Sequence, residues 1–273
     1  MSASSRKITP AARIGLGALP FALLVVVYAI GSHFRRLENP SDKLLPSLDT
    51  MASTFWRMAT RPEPRSGDYL LWSDTLVSLA RLGVGILIAA SIAVFLGVLI
   101  GYLPRARATL APFVAAISLI PPITILPILF IVFGLGELSK VMLIVIGTAP
   151  IMTRSLAQAV MDIPREQIVK AETLGASSLQ MAFRVVLPQL WPHLITAIRL
   201  GLVPAWIFLI SAEAIASTGG LGYRIFLVRR YLAMDVILPY VAWITLLAYL
   251  LDRILSFLSR RLFRWAHLSG ESL

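Results

Sequence analysis

Cysteine is absent, charge is scarce, and acid is scarcer than base. Without cysteine the chain forms no disulfide, no thiolate nucleophile and no cysteine-ligated metal centre. Charged residues are 14% of the 273, against about a quarter in soluble domains, which excludes a water-soluble globular fold. Hydrophobic residues are 58% of the chain and the mean hydropathy is +0.81, which excludes disorder as well. The three histidines, His33, His193 and His267, are too scattered to form a metal site. No His-Glu-x-x-His, Gly-x-Ser-x-Gly or Walker lysine motif occurs, so a membrane enzyme finds no support. For the same reason the chain is expected neither to bind nor to hydrolyse ATP. Lys and Arg number 25 against 14 Asp and Glu, a formal charge of +11. In so apolar a chain that excess marks loops facing an anionic membrane surface, with no nucleic-acid partner expected.

What is present is a series of long apolar runs. About 20 apolar residues span the hydrocarbon of a bilayer. Uncharged stretches of that length lie between Arg13 and Arg35, between Arg81 and Arg105, and between Arg107 and Glu137. Three more are crossed by isolated charges: Val141 to Met161 over Arg154, Leu190 to Ala216 over Arg199 and Glu213, and Val236 to Leu258 over Asp252 and Arg253. The fold class expected is all-α, with about six transmembrane helices. A β-barrel would show alternation instead of unbroken runs. The first run exceeds the usual 7–15-residue core of a signal peptide and is read as a retained helix. Basic residues divide almost evenly between the two sides, so loop charge does not fix orientation. Within the polar stretch that follows the first run, Leu48 to Met58 has helical apolar spacing and fits a surface helix lying on the membrane.

The connection around residues 162–189 is the most informative. Pro164 suits a first helical position, with Ile168, Ala171 and Leu174 on one face. Gly175 is placed to end that helix in a left-handed turn. Ser177 or Ser178 is placed to cap a second helix carrying Leu179, Ala182, Phe183 and Val186, which Pro188 is expected to stop. The outcome is a short helix–glycine–helix hairpin between two spans.

Gly175, nine residues, Val185, one residue, then Leu187-Pro188 resembles the cytoplasmic loop signature of ABC importer permeases, which reads Glu-Ala-Ala, three residues, Gly, nine residues, Ile, one residue, Leu-Pro. The chain departs at the start, with Val169-Lys170-Ala171 at the Glu-Ala-Ala positions, so Glu172 is not the signature's glutamate. Pro121-Pro122-Ile-Thr-Ile-Leu-Pro127, Phe133 through Lys140, and Ala212-Glu213 through Gly222-Tyr223 are similar to segments of the nitrate/sulfonate/taurine branch.

The resemblance implies a type I permease fold and an importer subunit without chemistry of its own. ATP and magnesium would sit on a separate ATPase subunit, present in two copies. A second permease, most simply an identical copy, would complete the pathway in the bilayer. A periplasmic or lipid-anchored binding protein would deliver a small solute of the nitrate, sulfonate, taurine or bicarbonate class; a cationic or neutral nitrogen-rich compound is the alternative. Contact with the ATPase falls to Arg165, Glu166, Lys170, Ala171, Glu172, Gly175, Ala176, Val185, Leu187 and Pro188. The loop then faces the cytoplasm of a bacterial inner membrane, as do both termini. The expected organisation is a cytoplasmic tail at 1–13, a first span at 14–34, a periplasmic segment at 35–74, the permease domain at 75–265 with its coupling loop at 162–189, and a tail at 266–273. A secondary transporter or channel remains the rival from another class; it would leave the hairpin without a use and uptake independent of ATP.

Inside the spans, Glu213 is a candidate for the translocation pathway by virtue of being an intramembrane acid. Equally it can be a structural partner for Arg199 or another buried donor, although Arg199 is too far along the same helix to pair with it directly. Asp252 and Arg253 are read as interfacial. Pro121 and Pro122 fall mid-span and imply a kink beside the pathway or in static packing. Gly97-x-x-x-Gly101 implies close helix packing.

Overall fold

The structure is a computed structural model and describes residues 10–39, 42–64 and 67–268. Its regular elements, among the described residues, are all helical: α1 (Pro10–Glu38), α2 (Leu48–Thr60), α3 (Leu70–Tyr102), α4 (Pro104–Ser118), α5 (Pro122–Phe133), α6 (Glu137–Met161), α7 (Arg165–Thr173), α8 (Ser178–Met181), a π-helical turn (Ala182–Val186), α9 (Leu187–Ile215), α10 (Leu221–Arg229), α11 (Met234–Leu262) and α12 (Arg264–Leu268). Five helical runs are long and apolar enough to cross a membrane: α1, α3, α6, the run Ser178–Ile215 and α11. The bent pair α4–α5 makes a sixth if it counts as one span.

The centre of the bundle is the pairing of α3 with α6, to which α9 is added. Lipid tails are as apolar as leucine, so helices in a membrane associate through close contact more than through burial of apolar surface. Glycine provides that closeness. A Cβ on Gly97 would stand 2.8 Å from Leu156 Cβ, and one on Gly85 would stand 2.8 Å from Ile144 Cγ2. The Gly97–Gly101 pair therefore packs α3 onto α6 of the same chain. Matching positions rise together along α3 and α6, so these helices are parallel. α9 runs the other way, its Phe208 lying over Gly147 and its Gly201 against Met152. α11 returns alongside α9, with Arg199 bonded to Asp252.

The third expected span differs from its expected form. It is broken, not kinked. α4 stops at Ser118, α5 starts at Pro122, and the two axes differ by 96°. The cause is the proline pair. Neither Pro121 nor Pro122 has an N–H to donate, and a residue ahead of a proline is pushed out of the helical region. Pro121 accordingly sits at φ −64°, ψ 116°.

α1 stands beside the bundle with its apolar side chains largely uncovered, Phe21 being 75% exposed. It is tied down by the Tyr28 hydroxyl, which donates to the Pro46 carbonyl (2.7 Å), and by the Ser32 hydroxyl, which donates to the Leu45 carbonyl (2.9 Å). α2 begins under a Ser47 cap and packs on α11 and α3, with its Thr54 hydroxyl bonded to Asp235 and Trp56 left 70% exposed. The helix directions place the starts of α3, α6 and α11, the end of α9 and all of α10 at one end of the molecule. The hairpin α7–α8 and the end of α11 lie at the other.

Candidate functional site

Two constructions stand at the two ends. At the hairpin end, α7 closes in a Schellman motif: the Gly175 N–H donates to Glu172 O (2.9 Å) and the Ala176 N–H to Ala171 O (3.0 Å). Gly175 adopts φ +81°, a region that costs other residues about 1–2 kcal/mol. Ser177 then caps α8 reciprocally with Gln180 in a capping box. The helix–glycine–helix geometry expected from spacing is thus present, with three differences. Pro164 caps α7 from outside, and the helix starts at Arg165. Ile168 and Ala171 lean half-buried toward the bundle while Leu174 points away, 81% exposed. Pro188 does not stop the second helix. Its ring crowds the carbonyl four residues back and its nitrogen has no hydrogen to give; the backbone widens into the π turn Ala182–Val186 and continues as α9. Gln189 braces the widened turn, donating to Val185 O (2.9 Å) and to Gln167 Oε1 (3.0 Å) across the hairpin.

Of the residues expected to meet a partner here, Arg165, Glu166, Lys170, Glu172, Gly175 and Pro188 are exposed, and Ala171, Ala176, Val185 and Leu187 are half-buried. α7 contains no buried residue. None of Arg165, Glu166, Lys170, Glu172 and Arg184 forms an ion pair among the described residues. Leu174, Leu179 (71%) and Phe183 (66%) present bare apolar surface between those charges. This is a rigid projection with chemistry suited to a groove on another protein.

At the opposite end is a buried charge lattice, of which the sequence marks only Glu213, as an acid inside an apolar run. Asp74, Ser78 and Arg81 succeed one another on one face of α3. Arg81 donates through Nη1 to Glu213 Oε1 (2.8 Å) and to Gly219 O (2.8 Å), and through Nη2 to Glu137 Oε1 (2.7 Å). Glu137 also receives Lys140 Nζ (3.1 Å). The carboxylate of Glu213 accepts from the Ser78 hydroxyl (2.8 Å) and from the Gly222 N–H (2.8 Å). Ser78 Oγ accepts the Leu221 N–H (2.8 Å) and Asp74 accepts the Gly220 N–H (3.1 Å). The first amides of α10 are thus capped by side chains from α3 and α9, as a helix N-terminus favours. Asp74 also holds Arg224 (2.8 Å) and the Tyr240 hydroxyl (3.1 Å). Burial disfavours the Arg224 guanidinium, but the bonded Asp74 outweighs it and raises the Arg224 pKa, so this cation stays charged.

Three acids meet three bases in this lattice. Glu213 is 0% exposed, Lys140 2%, Asp74 3% and Arg81 5%. The chain itself encloses Glu213, and the donor that satisfies it is Arg81. Arg199 bonds instead to Asp252 (2.7 Å), a residue expected at the interface. Arg81 bounds an apolar run and Lys140 falls between two runs, so neither stands out in the sequence as an intramembrane charge. The i, i+4, i+7 spacing of Asp74, Ser78 and Arg81 was the available signal. Pro121 is exposed and Pro122 half-buried at the break between α4 and α5.

A helical membrane bundle with a stiff hairpin projecting between two of its spans is the architecture of an importer permease. Residues 90–264 match the family model described as binding-protein-dependent transport system inner membrane component, and the chain belongs to that family; it is an ABC importer permease, a multi-pass membrane protein. It is 36% identical over 199 residues to the taurine transport system permease protein of Escherichia coli, covering 72% of each chain. It is 30% identical over 198 residues to the bicarbonate transport system permease protein of Synechococcus elongatus, covering 71% of this chain and 70% of that one. The fold is shared with the methionine ABC transporter in an inward-facing conformation, at a TM-score of 0.62 and 22% identity over 74% of this chain and 98% of that one.

Proposed function

We propose that this chain pairs with a second copy of itself to form the pathway for a small sulfonate- or bicarbonate-class solute, with the taurine type foremost. Two ATPase subunits dock on the hairpins, and a binding protein delivers the solute at the opposite end. The observation that carries this reading is the hairpin. It lies inside the family-matched region, is stiffened by a Schellman motif and a capping box, and carries uncommitted charges around Leu174, Leu179 and Phe183. Such a surface fits helix-in-groove recognition. Closure of the ATPases on ATP then moves α9 through the hairpin, and alternating access follows. In this reading the hairpin and both termini face the cytoplasm. The substrate class rests on the names of the relatives. A cationic solute loses its one support, because Glu213 is already neutralised by Arg81.

The test is uptake by proteoliposomes containing the permease, its ATPase and its binding protein, combined with melting of the binding protein against candidate solutes. A ligand that binds only the folded state raises the melting temperature by mass action. ATP-dependent uptake and stabilisation by taurine or another sulfonate are expected. Uptake without ATP would return the chain to the secondary transporters, and stabilisation by a cationic nitrogen compound would overturn the solute class.

A further inference from the structure

The end of α11 carries a second charged construction, of the opposite character to the lattice. Arg253, Arg260, Arg261 and Arg264, all exposed, line an open surface pocket of about 520 Å³, with Phe257 as its apolar wall. The spacing 253, 257, 260 keeps these residues on one side of α11, and the backbone turn at Phe263 brings Arg264, the first residue of α12, in beside them. Two of the guanidinium groups are held in place. Arg260 Nη2 donates to the buried Ser256 hydroxyl (2.9 Å). Arg253 donates to the Tyr249 hydroxyl (2.9 Å) and lies over that ring at 5.1 Å. None of the four forms an ion pair among the described residues. Asp252, next in sequence, is turned to Arg199. Four like charges gathered around one space repel one another unless an anion enters.

The apolar surface beside the cage says which anion. Leu246, Leu250, Ile254, Phe257 and Leu258 are exposed at helical spacing and form a stripe that runs straight into it. From Leu246 to Leu258 the stripe measures about 18 Å at 1.5 Å per residue, close to the roughly 15 Å depth of one leaflet's hydrocarbon. Guanidinium forks match phosphate oxygens in pairs, and basic clusters at the end of a membrane helix attract anionic headgroups. We propose that the arginine cage is the seat of the phosphate headgroup of an anionic phospholipid, whose acyl chains lie along the exposed stripe of α11. An acidic protein surface would satisfy the arginines but would leave the stripe unused. The proposal does not depend on the direction of transport or on the role of the hairpin.

The test is native mass spectrometry of the full permease taken from vesicles of equimolar phosphatidylglycerol and phosphatidylethanolamine. The wild type is expected to retain phosphatidylglycerol selectively. A basic residue near an anionic surface is worth about fivefold in affinity, so R260Q/R264Q should lower that selectivity by roughly 30-fold. R260K/R264K, which keeps the charge and loses the forks, should fall only a few-fold and shows that the loss in the first variant is not misfolding. Equal retention of phosphatidylglycerol by the wild type and R260Q/R264Q overturns the proposal. Displacement of the lipid by millimolar inorganic phosphate would overturn it in favour of a free-anion site. Unchanged lipid with loss of the co-purifying ATPase would assign the face to that partner instead.

Discussion

Glu213 shows what a buried charge costs and how one chain settles it. The carboxylate has no contact with solvent and takes bonds from Arg81, Ser78 and Gly222. A pair of this kind adds little over an apolar substitute, but removing one member strands the other. Glu213→Ala takes the shared acceptor from Arg81, the Ser78 hydroxyl and the Gly222 amide; Arg81 keeps Glu137 and Gly219 O, so the cost is that of unmade buried bonds, about 3–5 kcal/mol in all. In detergent this should appear as a fall in melting temperature of roughly 6–20 °C. Glu213→Gln retains an acceptor oxygen for Ser78 and Gly222 and should fall less. If the alanine variant melts with the wild type, the lattice is not what holds this end together. Gly220 belongs to the same unit: at φ +119° a Cβ there would stand 2.5 Å from Glu213 Oε1. Gly220→Ala is therefore expected to lower the melting temperature through the same bonds, and a Gly220→Ala/Glu213→Ala double variant should lose less than the sum of the two.

Among the elements, the hairpin tests whether backbone conformation carries function. Proline fixes φ near −65° and cannot occupy the +81° of Gly175. Gly175→Pro is expected to insert at wild-type levels, because the turn is exposed and α7 contains no buried residue, and to abolish uptake. Full transport by this variant at normal abundance would remove the lever role. The local chemistry of the hairpin was legible in the sequence because its devices are local: a glycine where a helix must turn left, a serine with a glutamine three residues on. Pro188 was misread for a physical reason. Proline ends a helix when nothing else holds the chain, but here α9 continues under packing from α3 and α6, and a π turn absorbs the missing bond. Pro121–Pro122 goes the other way, two prolines in succession breaking what one would bend.

At the scale of the whole molecule, the number of crossings was readable from apolar runs, since hydrocarbon thickness sets their length. Helix direction and partners were not, because lattice pairs such as Asp74–Arg224 and Arg81–Glu213 join residues more than a hundred positions apart. The spacing of Asp74, Ser78 and Arg81 marks one polar face of α3, but nothing local says which distant charges meet it. Docking belongs to this scale too. Phe183→Asp places a charge at an exposed position of the hairpin, away from the bundle. It is expected to leave the melting temperature within about 1 °C, as surface changes do, while the ATPase subunit no longer co-purifies. Retention of the ATPase would move its contact elsewhere.

The π turn that carries the chain past Pro188 joins the hairpin to α9 without a break, so Ser178–Ile215 is a single helical run of 38 residues, about 57 Å along its axis. Its far end holds Glu213, on which the α10 loop is fastened. One covalent strut of this length is enough to reach from one face of the membrane to the other. If the ATPases dock on the hairpin and a binding protein at the other face, as proposed, any factor by which binding at one changes affinity at the other must be returned in full. Binding measured at either face alone then contains the state of the other.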